Sequence, residues 1–119
     1  MLYELGHFRE ALTYFDKALE LEPYAYAYST LENKGLTQYK LGYYTDALST
    51  LDRALRLNSG DTTALFNKGL VLATLGLGFH THNSGDLEAA LQIMNRVLQI
   101  DPNYRDVFSL QALLIQLLT

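Results

Sequence analysis

One four-residue stretch occurs twice in this chain, as Asn33-Lys34-Gly35-Leu36 and again, 34 residues later, as Asn67-Lys68-Gly69-Leu70. The pair Leu41-Gly42 returns as Leu75-Gly76 at the same distance. A period of about 20 to 50 residues is the signature of repeat proteins, in which each unit buries its apolar face against its neighbours. The sequence therefore predicts an array of similar units.

A second pattern, an alanine followed by a leucine, occurs three times, in Glu10-Ala11-Leu12, Asp46-Ala47-Leu48 and Ala89-Ala90-Leu91. A basic residue and two apolar ones follow each copy, in Lys17-Ala18-Leu19, Arg53-Ala54-Leu55 and Arg96-Val97-Leu98. Successive copies are 36 and 43 residues apart. Compared with the 34-residue period, about two residues are therefore inserted near 24–28 and about nine in Leu77–Gly85. Insertions into a repeat array normally lie in loops.

Apolar residues recur every three or four positions along most of the chain, as in Phe8, Leu12, Phe15 and Leu19. This period is typical of amphipathic helices, and the alternation expected of strands is absent. The predicted fold class is all-α, with helices near 1–5 (a stub), 8–21, 27–41, 44–57, 61–76, 86–100 and 104–118. The turns between helices are predicted at Gly6, Gly42 and Gly85.

The composition is that of a folded, mildly acidic protein. Hydrophobic residues make up 49% of the chain, the formal net charge is −4 and there is no cysteine. This charge offers no attraction for nucleic acid or anionic membranes, and the lack of thiols excludes disulfides. The most apolar stretch, Val107–Leu118, is shorter than the roughly 20 residues that span a bilayer. We therefore expect a soluble, cytoplasmic protein.

Gly35 and Gly69 lie in the middle of predicted helices, where a glycine costs about 0.5–1 kcal/mol relative to alanine. Such a cost predicts a packing need, which a neighbouring helix passing too close for a Cβ atom would supply. Ala11, Ala47 and Ala90 are interpreted in the same way on the facing helices.

The order in which small and large residues recur in each copy resembles the motif of the tetratricopeptide repeat (TPR). The unit of this repeat, about 34 residues long, is a pair of antiparallel helices. Repeat two has the motif residues Leu31, Gly35, Leu41, Gly42, Tyr44, Ala47, Ala54 and Ser59. Repeat three has Leu65, Gly69, Leu75, Gly85, Leu87, Ala90, Val97 and Pro102. Repeat one keeps only its second half, with Leu5, Gly6, Phe8, Ala11, Ala18 and Pro23.

The resemblance implies one α-α superhelix over 1–119. Its predicted parts are 1–25 (second half of repeat one), 26–60 (repeat two), 61–103 (repeat three with the insertion 77–85) and 104–119 (a terminal or capping helix). The departures from the family motif are Ser59 for proline, Val97 for alanine, Leu31 and Leu65 for aromatic residues, and the insertion.

The resemblance also implies a protein-interaction scaffold and not an enzyme. In this family the first helix of each hairpin lines a concave groove that binds a peptide or a helix. The residues at the groove-facing places are Glu32, Asn33, Leu36, Tyr39, Lys40, Thr63, Phe66, Asn67, Leu70, Thr74, Leu110 and Leu113. Asn33 and Asn67 are predicted to bind a peptide backbone, because an amide side chain both donates and accepts hydrogen bonds. The alternative is that both are surface asparagines with no partner.

Some repeats of this family clamp a C-terminal carboxylate with lysine and arginine. The matching places here hold Glu32, Thr63, Phe66 and Asn67, and Lys40 is the one cation in the set, so a clamp is not expected. The apolar members of the set favour an apolar peptide or an amphipathic helix. The alternative for Leu70 and Leu113 is a place in the core.

Neither a cofactor nor a metal site is predicted. His80 and His82 of the insertion could hold a metal if a carboxylate such as Asp86 joined them, but no cysteine and no third nearby histidine completes a zinc site. A polar loop is the simpler interpretation, with Phe79 as an alternative contact for a partner. The Ser, His and Asp residues share no spacing that is recognisable as catalytic.

The last predicted helix is apolar nearly all round, whereas a repeat array normally ends in a polar cap. Two explanations fit: the chain is a piece of a longer array, or its ends associate with another copy. The second predicts a homo-oligomer through Phe108, Leu114, Ile115, Leu117 and Leu118. A structural or oligomerising segment is thus the alternative to a peptide-binding scaffold.

Overall fold

The computed structural model describes residues 2–21, 27–78 and 84–119, and within these ranges the chain forms six α-helices and no strand. The helices are α1 (Leu2–Leu21), α2 (Ala27–Lys40), α3 (Tyr44–Leu57), α4 (Thr62–Gly76), α5 (Ser84–Ile100) and α6 (Arg105–Leu118). The predicted all-α class is confirmed. None of these helices is both long and apolar enough to cross a bilayer.

The helices form two compact units of three helices each. Unit 1 is Met1–Asp61 and holds α1 to α3, and unit 2 is Thr62–Thr119 and holds α4 to α6. In each unit the middle helix packs against both of its neighbours along the chain. The boundary falls within one residue of the predicted junction between repeats two and three, while the single array over 1–119 stays a prediction.

Buried side chains follow the helical period seen in the sequence. The core of unit 1 includes Leu31 of α2 and Leu51 of α3, and that of unit 2 includes Leu87 and Met94 of α5 and Val107 of α6. Leu87 and Met94 are two helical turns apart, so both project from one face of α5. Burying each large apolar side chain contributes about 1.5–3 kcal/mol, and this burial stabilises the packing within each unit.

The two mid-helix glycines lie where a neighbouring helix comes very close. A Cβ atom at Gly35 would lie 2.6 Å from Cγ of Leu51 in α3. A Cβ atom at Gly69 would overlap Cε of Met94 in α5. The predicted reason for these glycines is therefore confirmed, although the facing side chains are a leucine and a methionine one turn beyond the expected alanines.

Gly42 ends α2 in the left-handed conformation, with φ of 85°. Its N–H donates to the carbonyl of Tyr39 (3.0 Å), and the N–H of Tyr43 donates to the carbonyl of Gln38 (2.8 Å). These two bonds form a Schellman motif, which satisfies carbonyl groups at the helix end and favours glycine in its left-handed position. The turn predicted at Gly42 is confirmed.

The turns predicted at Gly6 and Gly85 are wrong. Gly6 lies inside α1, so the predicted stub 1–5 and the helix 8–21 are one continuous helix. Gly85 is the second residue of α5. One glycine costs a helix only about 0.5–1 kcal/mol, and at the start of a helix the N–H groups lack helical partners in any case. Phe79, His80 and His82 of the insertion lie outside the described residues.

Candidate functional site

Five of the predicted groove residues lie on α2, and we call them the α2 face: Glu32, Asn33, Leu36, Tyr39 and Lys40. Their spacing of three and four residues places them along one side of the helix. Asn33 and Lys40 are exposed, and the other three are half-buried. A partner can therefore reach an amide, an ammonium group and part of an apolar surface on this face.

Contacts within unit 1 position one end of the α2 face. The Nζ atom of Lys40 lies 5.7 Å from the ring centroid of Phe8, within the range of a cation–π interaction. The rings of Tyr39 and Tyr44 have centroids 5.7 Å apart and are tilted by 47°, which is a favourable aromatic geometry. Both contacts restrict the side chains of α2 that a partner would touch.

The opposite end of the α2 face carries a pair of carboxyl groups. Glu32 is half-buried, and the side chain of Asp61, which acts on it, is 8% exposed. Three causes together raise the pKa of Glu32 from its ordinary 4.5 to about 8: burial, which is the largest, then hydrogen bonding with Asp61, then the charge of Asp61. Glu32 is thus a proton-binding group and not a simple surface carboxylate.

The predicted residues on α4, which we call the α4 face, are Thr63, Phe66, Asn67, Leu70 and Thr74. Thr63 is exposed, and Phe66, Leu70 and Thr74 are half-buried. Asn67, however, is only 6% exposed. The two asparagines predicted to bind a peptide backbone therefore differ, because Asn33 is accessible and Asn67 is buried.

Phe66 contacts Tyr104, the residue that precedes α6. Their ring centroids are 5.3 Å apart and the planes are tilted by 38°. Such an aromatic pair adds about 0.5–1.5 kcal/mol beyond the area it buries. Phe66 therefore holds unit 2 together and also presents part of its ring at the surface.

The residues predicted on α6 divide between surface and core. Phe108, Leu113, Ile115 and Leu117 are between 37% and 50% exposed, and Leu110 and Leu118 are half-buried. Leu114 is fully buried. The prediction that Leu114 contacts another copy is wrong. Leu114 follows Val107 by two helical turns, so both side chains lie on the inward side of α6.

Two family models of the tetratricopeptide repeat match the sequence, one over residues 33–105 and the other over residues 1–25. The first match covers more than half of the chain. The chain belongs to the tetratricopeptide repeat family. No curated protein sequence gives a match.

Solved structures of TPR proteins share the fold. The first TPR domain of Spaghetti (RPAP3), bound to the HSP90 peptide SRMEEVD, is 23% identical with a TM-score of 0.82, over 98% of this chain and 85% of that one. A TPR protein of Thermus thermophilus is 25% identical with a TM-score of 0.81, over 98% of this chain and 60% of that one. A TPR protein of Parabacteroides merdae is 26% identical with a TM-score of 0.79, over 97% of this chain and 42% of that one.

Sequence reasoning missed that Glu32 meets Asp61 and that Phe66 meets Tyr104. The repeat offsets relate the two pairs to each other, but they do not show that the residues of either pair meet. Phe66 follows Glu32 by 34 residues, and Tyr104 follows Asp61 by 43 residues, the distance between Ala47 and Ala90. The two pairs therefore occupy the same two places of successive TPR hairpins.

Proposed function

We propose that this TPR chain is a scaffold that binds an apolar peptide or an amphipathic helix through the first helices of its hairpins. The observation that carries the proposal is the α2 face, where the exposed amide of Asn33 lies next to the half-buried side chain of Leu36. An amide that both donates and accepts can bind a peptide backbone, while an apolar neighbour binds a side chain. On α4, Phe66 and Leu70 supply further apolar contacts.

The chemistry of the α2 face argues for an apolar partner over an acidic one. The peptide bound to the RPAP3 domain, SRMEEVD, has acidic residues at three of its last four positions. Here Lys40 is the only cation on the α2 face, and Glu32 stands at the other end. An acidic tail would gain one favourable charge contact and meet a carboxyl pair, so we do not propose a carboxylate clamp.

A library of displayed peptides, selected on the immobilised full chain, tests this function. We expect apolar or amphipathic peptides, and Leu36→Glu should weaken their binding by about tenfold or more because it puts a charge in an apolar contact. Leu57→Glu is the matched control, since Leu57 is 54% exposed on α3, outside the proposed faces. Calorimetric affinities of the selected peptides are the readout.

Asn33→Ala provides a second variant, because Leu36 is half-buried and its replacement changes the packing of α2. Loss of the exposed amide of Asn33 should weaken binding of the same peptides, while the thermal unfolding midpoint stays that of the wild type. Selection of no peptide, or equal affinities for the wild type, Leu36→Glu and Asn33→Ala, contradicts the proposal.

Self-association through α6 is the second candidate function. Phe108 and Ile115 are two helical turns apart and about half exposed, so they form one apolar side of α6. Contiguous exposed apolar surface often marks an interaction site. Sedimentation equilibrium should detect dimers that Phe108→Glu with Ile115→Glu disrupts, whereas a wild-type monomer at high micromolar concentration contradicts this candidate.

TPR folds are typically interaction modules without catalytic activity, and we propose no reaction or cofactor for this chain. The cytoplasmic location expected from the sequence stays a prediction.

A further inference from the structure

Helix α6 has the same place in its repeat as α2 has in the hairpin of unit 1. Phe108, Ala112 and Ile115 follow their equivalents on α2 by 77 residues, which is the 34-residue and the 43-residue repeat distance together. The equivalents on α2 are all buried, and they are Leu31, Gly35 and Gln38. On α6 the three places are exposed, with Phe108 at 50% and Ile115 at 47%. This side of α6 therefore faces solvent where the same side of α2 is covered.

Two contacts with α3 show what covers this side of α2. A Cβ atom at Gly35 would lie 2.6 Å from Cγ of Leu51. One residue earlier on α3, Thr50 Oγ1 donates to Gln38 Oε1 at 2.6 Å. Two consecutive residues of the second helix thus contact the first helix of the hairpin one turn apart.

Helix α1 is the equivalent of α3 in the preceding repeat. Tyr14 and Phe15 precede Thr50 and Leu51 by 36 residues, the distance between the first two alanine–leucine copies. Thr50 is 5% exposed and Leu51 is fully buried, whereas Tyr14 is 70% exposed and Phe15 is half-buried. The two rings on α1 are packed edge to face, with centroids 6.1 Å apart. They form an accessible aromatic patch at the two places that on α3 contact a first helix.

The rest of this side of α1 is also incompletely covered. Among residues 6–21, none is buried, although α1 packs against α2. Ala11 and Ala18 are half-buried, whereas their equivalents on α3, Ala47 and Ala54, are completely buried. Packing against α2 therefore leaves part of the apolar surface of α1 open to a further helix.

We propose that α1 of a second copy packs on α6 and so completes a hairpin between two molecules. In this hairpin Tyr14 of one copy contacts Ile115 of the other, as Thr50 contacts Gln38 within unit 1. Phe15 contacts Ala112, whose Cβ sets a slightly wider spacing than the glycine of α2, and its ring fills that space.

The inference rests on the second candidate function, self-association through α6, and names the surface that α6 meets. A second copy fits because the two exposed sides are the two halves of one contact, which the chain already makes between α2 and α3. The contact joins two different surfaces, unlike a symmetric contact of α6 with α6. Loss of either surface therefore prevents self-association, while a chain without one surface still binds a chain without the other.

Sedimentation of the full chain and of two variants, alone and mixed, tests this pairing. Tyr14→Glu removes the α1 surface, and Phe108→Glu with Ile115→Glu removes the α6 surface. Each variant alone should self-associate at least about tenfold more weakly than the wild type, whereas an equimolar mixture of the two should form a heterodimer. Leu57→Glu, at a 54% exposed place on α3, is the control and should associate like the wild type. Because Tyr14 is 70% exposed, its replacement should leave the thermal unfolding midpoint unchanged.

The possible failures separate the pairing from the function on which it rests. Self-association of Tyr14→Glu at wild-type strength overturns the pairing and leaves association through α6 intact. A mixture of the two variants that stays monomeric also overturns the pairing. A wild-type chain that is monomeric at high micromolar concentration contradicts the pairing and the second candidate function together.

Cross-linking gives an independent check, because the chain contains no cysteine of its own. A chain with Tyr14→Cys and a chain with Ile115→Cys, mixed and oxidised, should form a disulfide-linked dimer, since a disulfide needs the two Cα atoms within about 7 Å. The control mixture of Leu57→Cys with Ile115→Cys should cross-link more slowly. Equal cross-linking rates in the two mixtures contradict the proposed contact.

Discussion

The hairpin of α2 and α3 in unit 1 and the hairpin of α4 and α5 in unit 2 share a construction but not a chemistry. In both, a mid-helix glycine faces a large buried side chain, Leu51 for Gly35 and Met94 for Gly69. The facing residues are 43 apart, the same offset as Ala47 and Ala90. The close approach of two helices is therefore the feature that both repeats keep.

Next to this close contact between helices, the two hairpins have different pairs of contacting side chains. In unit 1 Thr50 Oγ1 donates to Gln38 Oε1 at 2.6 Å in a buried contact. The equivalent positions of unit 2 hold Leu72 in place of Gln38 and Ile93 in place of Thr50, and both are half-buried. Together with the carboxyl and aromatic pairs, this shows that unit 1 is held partly by polar contacts where unit 2 has apolar ones. The fold therefore accommodates polar pairs in one hairpin and apolar pairs at the equivalent positions of the other.

Gly35→Ala should produce the largest difference between the hairpins. The new Cβ meets Cγ of Leu51, which is close to the backbone and fully buried, so packing strain of about 1–3 kcal/mol outweighs the gain of about 0.5–1 kcal/mol in helix propensity. Gly69→Ala meets mainly the flexible tip of Met94, so its net effect should stay within about 1 kcal/mol. Urea unfolding followed by circular dichroism measures both, and equal losses would contradict this difference.

A mutant cycle that converts the polar pair of unit 1 into the apolar pair of unit 2 should give the next effect. Gln38→Leu alone leaves the buried hydroxyl of Thr50 without its acceptor and should cost about 1–3 kcal/mol. Adding Thr50→Ile removes that group, so the double variant should recover most of the stability. The free energy of unfolding of the four proteins is the measurement, and additive losses would show that the two residues are independent.

The pH dependence of stability should give the smallest effect. The folded-state pKa of Glu32 is raised, so its contribution is fully present below 4.5 and is lost as the pH rises towards and through about 8. Glu32→Gln should equal the wild type in acid and exceed it above about pH 8 by on the order of 1 kcal/mol, since solvent screens a half-buried carboxyl. Thermal unfolding at several pH values measures this gain, and parallel pH profiles contradict it.

The helices, the glycine contacts and the turn at Gly42 could be predicted because they follow from local period and backbone conformation. The burial of Asn67 could not, because the helical period gives the side of α4 and not the depth of packing on that side. Gly6 was misleading, since one glycine does not end a helix. The meeting of Glu32 with Asp61 depends on a turn 29 residues further along the chain, whose path the sequence does not specify.

Chemical-shift mapping tests the central claim, that the first helices of the TPR hairpins bind a peptide. The amide spectrum of the full ¹⁵N-labelled chain is recorded with increasing amounts of a peptide selected on the wild type. We predict that the shifts concentrate on Asn33 and Leu36 of α2 and on Phe66 and Leu70 of α4, and that Leu36→Glu abolishes them while Leu57→Glu does not. Shifts confined to α3 or α6, or the same shifts in Leu36→Glu, would contradict the claim.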